Sequence, residues 1–335
     1  MPSATTPSAS TKEISSFKIQ NPGGDWRDEL EKKGYTVVRG VITPERAQYY
    51  QQQAFQWLQT FDPDFDPKDP TTWSEEKLPL QTDKNTYEHY SVIHERFMWE
   101  ARQEPKLIEA FAQLWGTDEL LVSFDSLNVT LPSFKAPRAP WPHVDQAPRK
   151  RGLHCIQGIL NLGQAGPDDG SLCVMDGSAA LVEAFFDEET DPADWAMRDN
   201  RYFSAQDMAW FTARGVRPVR VEAAPGDLIL WDSRCIHWGG EPTAASTTIR
   251  TVIYAAYAPA SLASPEALAE KQRVFRAHGG TTHWPHTNIK LRELAARLPD
   301  GTPDPRHREK PLQPAEQTDK LLKLAGVKAY REKVC

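Results

Sequence analysis

Two short stretches carry the residues whose types and spacing could do chemistry. In "WPHVDQAP" a histidine and a carboxylate, His143 and Asp145, stand two apart between prolines. On extended backbone, side chains two apart point to the same side, so an imidazole and a carboxylate can reach one ion together. The third ligand must come from elsewhere. His237, in "PGDLILWDSRCIHWGG", follows an apolar strand and a polar turn that would aim it into the mouth of a barrel. Two histidines and one carboxylate on one face of a metal leave positions open, which suits ferrous iron in enzymes where a co-substrate and dioxygen both bind the metal. Zinc hydrolases use a similar donor set, but their HExxH signal is missing from this chain. Arg250, in "TTIRTVIYAAY", lies 13 residues beyond His237. Its guanidinium could grip the far carboxylate of a dicarboxylate co-substrate bidentately, as 2-oxoglutarate requires and as a lysine cannot do.

These residues need a scaffold that brings distant segments together. From Glu119 onward the chain reads as short strands, "ELLVSFDSLNVTL", "LHCIQGILNL", "SLCVM", "VRPVRVE", "DLILWD" and "TIRTVIYAAY", separated by Gly, Pro and Asp. Strands without intervening helices favour an antiparallel barrel or sandwich, so the fold class is mainly β with flanking helices (α+β). The helices come earlier. Thr43 and Pro44 open one whose apolar residues recur from Ala47 to Phe61, and "PKLIEAFAQLWG" forms another, capped by Gly116. Residues 62–85 read as a long surface loop, and 182–214 as a helical or irregular insert covering one rim. Ser264 and Pro265 open a later helix, and "TDKLLKLAGVKAYREKV" contains a short amphipathic one.

Bulk properties narrow the function. A formal charge of -7 on 335 residues gives no support for nucleic-acid or acidic-membrane binding. No apolar run approaches the ~20 residues of a membrane helix. The N-terminal "MPSATTPSASTKE" has no apolar core and reads as a tail rather than a signal peptide. Cys155, Cys173, Cys235 and Cys335 form no CxxC pair, and the first three sit in apolar runs as small buried hydrophobes. A soluble cytoplasmic protein acting on a small molecule is the expectation, with no nucleic acid or membrane partner and with a homodimer left open.

The order "GYTVVRGVIT", "HVD", "GILNLGQAGPDDGSLCVMDGS", "PGDLILWDSRCIHWGG" and a following arginine resembles the phytanoyl-CoA dioxygenase family, over about residues 34–259. The resemblance implies an Fe(II)/2-oxoglutarate-dependent oxygenase that uses O2, with a double-stranded β-helix (jelly-roll, cupin-like) core over about 119–260. With the composition of the two ends, the expected organisation is a flexible tail over 1–20, a single oxygenase domain over 21–300 and a C-terminal extension with a short helix over 301–335. His143, Asp145 and His237 match the iron triad, and Arg250 the 2-oxoglutarate clamp. Where some relatives place a threonine against the keto acid this chain has Leu172, so Thr248, Gln157 and Asn128 become candidates for its near carboxylate. Retention of Asp145 separates the chain from halogenating relatives. Hydroxylation is the default outcome, with desaturation or oxidative cyclisation as alternatives, in secondary metabolism or in amino or fatty acid metabolism.

Other residues divide between site and scaffold. Trp141, Trp238 and Arg151 are candidate pocket residues, and the basic run Arg149–Lys150–Arg151 either greets an anionic substrate or is a solvated loop. Asp125 and Asp232 read as turn residues or as groups orienting a ligand histidine. Tyr87 is a packing aromatic and His154 a core histidine. The loop with His278, His283 and His286 is expected at the rim of the site rather than as a second metal centre. Two other classes keep the same residues: a non-catalytic jelly roll that binds a small molecule, and a metal-dependent hydrolase or isomerase.

Overall fold

A computed structural model describes residues 17–74, 76–132 and 138–331. The first third is helical around two short strands: α1 (Trp26–Lys33), β1 (Tyr35–Val38), α2 (Pro44–Gln59), β2 (Thr86–Tyr87), α3 (Arg96–Ala101) and α4 (Pro105–Trp115). Local chemistry sets their ends. Asp25 and Thr43 accept backbone N–H bonds as N-caps of α1 and α2. Gly34 closes α1 at φ 83°, where a Cβ would come within 2.9 Å of the Ala179 Cβ.

The remainder supplies most of the strands: β3 (Leu120–Val122), β4 (Leu127–Thr130), β5 (His143–Val144), β6 (Ile156–Asn161) and β7 (Ser171–Asp176). After them come α5 (Val182–Glu189), β8 (Arg201–Tyr202), α6 (Ala205–Ala213), β9 (Arg217–Arg220), β10 (Leu228–Asp232), β11 (His237–Gly240), β12 (Arg250–Tyr254), β13 (Tyr257–Pro259), α7 (Pro265–Arg276) and α8 (Asp319–Leu324). The major sheet has the order β1-β10-β6-β12-β4-β2 and the minor one β8-β5-β11-β7-β9, while β13 and β3 pair separately. Every ladder between these strands is antiparallel. The two sheets form the jelly roll that the strand runs predict.

Alternation along each strand builds the layers. Ile159, Ile229, Trp231 and Val252 of the major sheet pack against Leu172 and Val174 of the minor one. Their chain neighbours Leu160, Leu228, Leu230 and Ile253 face the other way, onto Tyr50, Ala54 and Leu58 of α2 and Leu107, Phe111 and Leu114 of α4. The outer face of the minor sheet gives Val144 and Met175 to Phe185, Phe186 and Phe211 of the insert. Helices therefore cover both outer faces, and the space between the sheets is left for a site.

The ends of the described chain belong to this body. The Phe17 N–H donates to Leu153 O at 2.9 Å, and Leu321, Leu324 and Ala325 at α8 enter the main core. The C-terminal helix thus docks on the fold. Residues 62–85 are mostly irregular, as expected, but Phe65 and Leu78 are buried, so this loop contributes to the core rather than only covering it. Most of the N-terminal tail and Cys335 lie outside the described residues. No helix among the described residues is long and apolar enough to cross a membrane.

Candidate metal centre and cavity

β5 and β11 are neighbours in the minor sheet, and their register sets His143 directly opposite His237. Both side chains point between the sheets. One nitrogen from each histidine and one oxygen of Asp145 lie within 4.8 Å of one another, and all three residues are buried. Asp145 Oδ1 is 3.5 Å from His143 Nε2, and Oδ2 is 3.2 Å from His237 Nε2. Ligand atoms about 2.1 Å from one ion and at right angles would be about 3 Å apart, so the two separations from Asp145 suit one ion that the three residues would share.

The second nitrogen of each histidine is also spoken for. His143 Nδ1 faces the Trp141 carbonyl at 3.3 Å, and His237 Nδ1 faces the Cys235 carbonyl at 2.9 Å. A carbonyl only accepts, so each Nδ1 carries the proton and each Nε2 offers its lone pair to the centre. Gln157 Nε2 donates to Asp145 Oδ2 at 2.9 Å and fixes the carboxylate. Burial, then His237, holds His143 below the ordinary imidazole value, favouring the neutral form that a metal needs. Burial alone would push Asp145 up, but His283 and His143 outweigh it and hold the carboxyl well below its usual range.

The centre opens into a cavity of about 590 Å³ lined by both sheets and by the 281–292 segment. β12 contributes Arg250 and Tyr254 to its wall, while the intervening Thr251 faces the opposite side and meets Gln51 of α2. Arg250 is buried, yet its guanidinium has no hydrogen-bond or ion-pair partner among the described residues. Gly170 makes room for it, since a Cβ there would lie 3.1 Å from Arg250 Cδ. Thr130, opposite Arg250 in the ladder, also lines the cavity, with Leu172 and Asn128. Thr130 carried no signal in the sequence because nothing marked where its strand would pair.

Several expected site residues lie elsewhere. Trp238 follows a ligand in the chain, but neighbours on a strand face opposite ways, and it packs outward with the insert. Trp141, two residues before His143, keeps the same side; it stacks on that ring at 4.7 Å and lines the cavity. Thr248 precedes β12, is absent from the wall, and bonds Asp169 instead. Arg151 pairs with Asp187 at 2.6 Å, Lys150 with Asp199 at 2.5 Å, and Arg149 donates to the Pro192 carbonyl at 2.8 Å. The basic run therefore straps down the insert and offers no free charge to a substrate. Gln157 holds Asp145 rather than standing free for a keto acid, and Asn128 Nδ2 donates to the Lys84 carbonyl.

Asp232 forms a salt bridge with Arg234, so carbonyls rather than an acid orient the ligand histidines. His154 is a core histidine whose Nε2 faces the Arg151 carbonyl. Tyr87 packs edge-on against Trp57. The histidine-rich loop splits by role. His278 packs on His94, and His286 approaches Phe17, whereas His283 lines the cavity with Nδ1 3.9 Å from Asp145 Oδ2. The loop was expected at the rim of the site, and what the sequence did not show is that His283 reaches in as far as Asp145.

Known proteins resemble this chain. A protein 42% identical over 269 residues, 78% of this chain and 86% of its own length, is the "Ava biosynthesis cluster protein O" of Aspergillus versicolor. The solved structure of GlcNAc Inducible Gene 2 (DUF1479) from Candida albicans superposes with a TM-score of 0.60 at 13% identity, over 91% of this chain and 76% of that one. EctD from S. alaskensis, solved with 2-oxoglutarate and 5-hydroxyectoine, gives 0.49 at 17% identity over 74% and 80% of the two chains. The family model for phytanoyl-CoA dioxygenase matches residues 30–251, which take in the three clustered ligands and the buried arginine, and the chain belongs to the phytanoyl-CoA dioxygenase family.

Proposed function

We propose that the protein is an Fe(II)/2-oxoglutarate-dependent oxygenase that oxidises a C–H bond of a small biosynthetic molecule. His143, Asp145 and His237 would hold the iron, and Arg250 would bind the distal carboxylate of the keto acid. Bound iron(II), with 2-oxoglutarate and O2, supplies the power to break an unactivated C–H bond while the keto acid leaves as succinate and carbon dioxide.

The protein's own share is positional. The Trp141 and Cys235 carbonyls keep both imidazoles in the ligating tautomer, and Gln157 keeps the Asp145 carboxylate from rotating. Trp231, Leu172 and Tyr254 give the inner cavity apolar walls that exclude bulk water. Hydroxylation is the simplest outcome, and desaturation or oxidative cyclisation would need the same residues. The name of the Aspergillus versicolor relative places that protein in a biosynthesis cluster, which supports a secondary metabolite as substrate.

The observation that carries this reading is the buried Arg250, without a partner among the described residues, in the same cavity as the triad. The three ligands alone would equally suit a hydrolase or isomerase, and the buried cation adds what a dicarboxylate co-substrate needs. A non-catalytic binding fold has no use for the three converging ligands. The test is substrate-independent: slow 2-oxoglutarate turnover to succinate in the iron-loaded protein, compared with Arg250→Ala. A sharply raised 2-oxoglutarate requirement in the variant supports the reading, and an unchanged requirement refutes the role given to Arg250.

A further inference from the structure

We infer that the outer part of the cavity is built for a cation, with Asp125 receiving a protonated nitrogen (an ammonium or a guanidinium) of the substrate. This deepens the oxygenase reading and rests on it for the word substrate. The cavity's other carboxylates are each accounted for. Glu88 pairs with Arg292 at 3.0 Å, Glu241 with Arg138 at 2.5 Å and Asp199 with Lys150 at 2.5 Å. Asp145 is held between the histidines and Gln157, and Asp83 is exposed to water.

Asp125 differs from all of them. It is half-buried in the cavity wall, and only its Oδ1 is occupied, by the Ser126 N–H at 2.7 Å and Ser126 Oγ at 3.1 Å. Among the described residues no lysine or arginine comes within ion-pair distance of the carboxylate. Of the cavity's cations without a carboxylate partner among the described residues, Arg250 is the one assigned to the keto acid, Lys84 lies over the Trp141 ring at 5.0 Å, and Arg198 and Lys290 are exposed. Burial, with Glu88 adding to it, pushes the carboxyl up to about 6, so the ionised form gains from any cation that approaches.

The position is also rigid. Arg102 donates to the Asp125 carbonyl at 2.7 Å, and Tyr254 N–H donates to the Ser126 carbonyl at 3.2 Å. Phe124, on the other side, exchanges bonds with Thr281: its N–H donates to Thr281 Oγ1 at 3.0 Å, and its carbonyl accepts from the Thr281 N–H at 2.7 Å. A fixed carboxylate with one free oxygen is a preorganised acceptor for a charged N–H donor. Capping Ser126 alone would need one acceptor oxygen, which an asparagine supplies equally well. That equivalence lets the two roles be separated.

The test is a calorimetric titration of the full-length protein with agmatine, which carries an ammonium and a guanidinium, beside 1,4-butanediol as its neutral counterpart. Agmatine should bind the wild type at least tenfold more tightly than the diol. Asp125→Asn should weaken agmatine at least tenfold, while Asp125→Glu should stay within a few-fold of wild type. Agmatine binding no tighter than the diol would overturn the inference, as would an Asp125→Asn variant with undiminished agmatine affinity. The comparison between the two probes stands on the wild type alone should either variant fold poorly. Neither iron nor 2-oxoglutarate is needed, so failure here is distinguishable from failure of the oxygenase reading, which is scored by succinate release.

Discussion

Two arginines are buried among the described residues, and their surroundings differ in one respect. Arg102, at the end of α3, is fully enclosed and donates to the Ile93 and Asp125 carbonyls at 2.7 Å each, with Trp99 under its guanidinium. Arg250, at the start of β12, is almost as enclosed, yet its guanidinium reaches no partner among the described residues. Burial lowers Arg102 to about 10, and of the two carbonyls it ties together that of Asp125 belongs to the cavity wall. The first arginine is a fastening: both terminal nitrogens donate to backbone carbonyls inside the fold, and only its buried Nε is left without a partner. The second is an open valence of the kind that a bound carboxylate would complete.

This contrast sets unequal expectations for the same substitution. Arg102→Ala should leave two buried carbonyls unpaired and a void beneath Trp99. It should cost about 3–5 kcal/mol, read as a drop of several degrees in the unfolding midpoint. Arg250→Ala should change stability by no more than about 1 kcal/mol in the absence of ligand. It should raise the 2-oxoglutarate requirement roughly 30- to 100-fold, the loss of about 2–3 kcal/mol of charged hydrogen bonding. If the two variants exchanged these phenotypes, the contrast would be lost.

Smaller effects sharpen it. Asp125 is an acid whose folded value, about 6, lies above its ordinary one near 4, so the folded state binds more protons than the unfolded state between those values. Its contribution to stability therefore falls as pH rises through that window. Asp125→Asn should match wild type near pH 4 and exceed it by about 1–2 kcal/mol at pH 7.5, allowing for the water that reaches a half-buried group. Denaturant titrations at the two pH values check this. Gly170→Ala should be the mildest change, pressing on Arg250 Cδ and raising the 2-oxoglutarate requirement a few-fold with stability nearly intact.

Arg102 and Arg250 also mark what a sequence reveals. Arg250 was legible because it sits in a strand at a set distance past His237, in an order that the family shares. Arg102, in "WEARQEP", looks like any solvated helix-end arginine, because its partners arrive from Ile93 and from a strand region more than twenty residues away. The jelly roll was legible in the strand runs, and the triad in two local spacings that both fall on extended backbone. Sidedness was harder to read. Trp141 and Trp238 look equivalent beside their ligand histidines, yet one is two residues away and the other one, and the pleat sends them to opposite faces. Free charge was not legible at all. The basic run at 149–151 is neutralised by Asp187, Asp199 and a backbone carbonyl of the insert. Asp125, read as a turn residue, keeps an oxygen open to the cavity only because of how the sheets and the 281–283 segment close around it.

The most direct test of the central claim is an anaerobic titration of the iron(II)-loaded protein with 2-oxoglutarate, followed by visible absorption. A weak band should appear with one equivalent in the wild type. It should require much more keto acid in Arg250→Ala and should be lost, together with tight iron binding, in His237→Ala. A wild-type protein that binds iron tightly and shows no band at saturating 2-oxoglutarate would contradict the account.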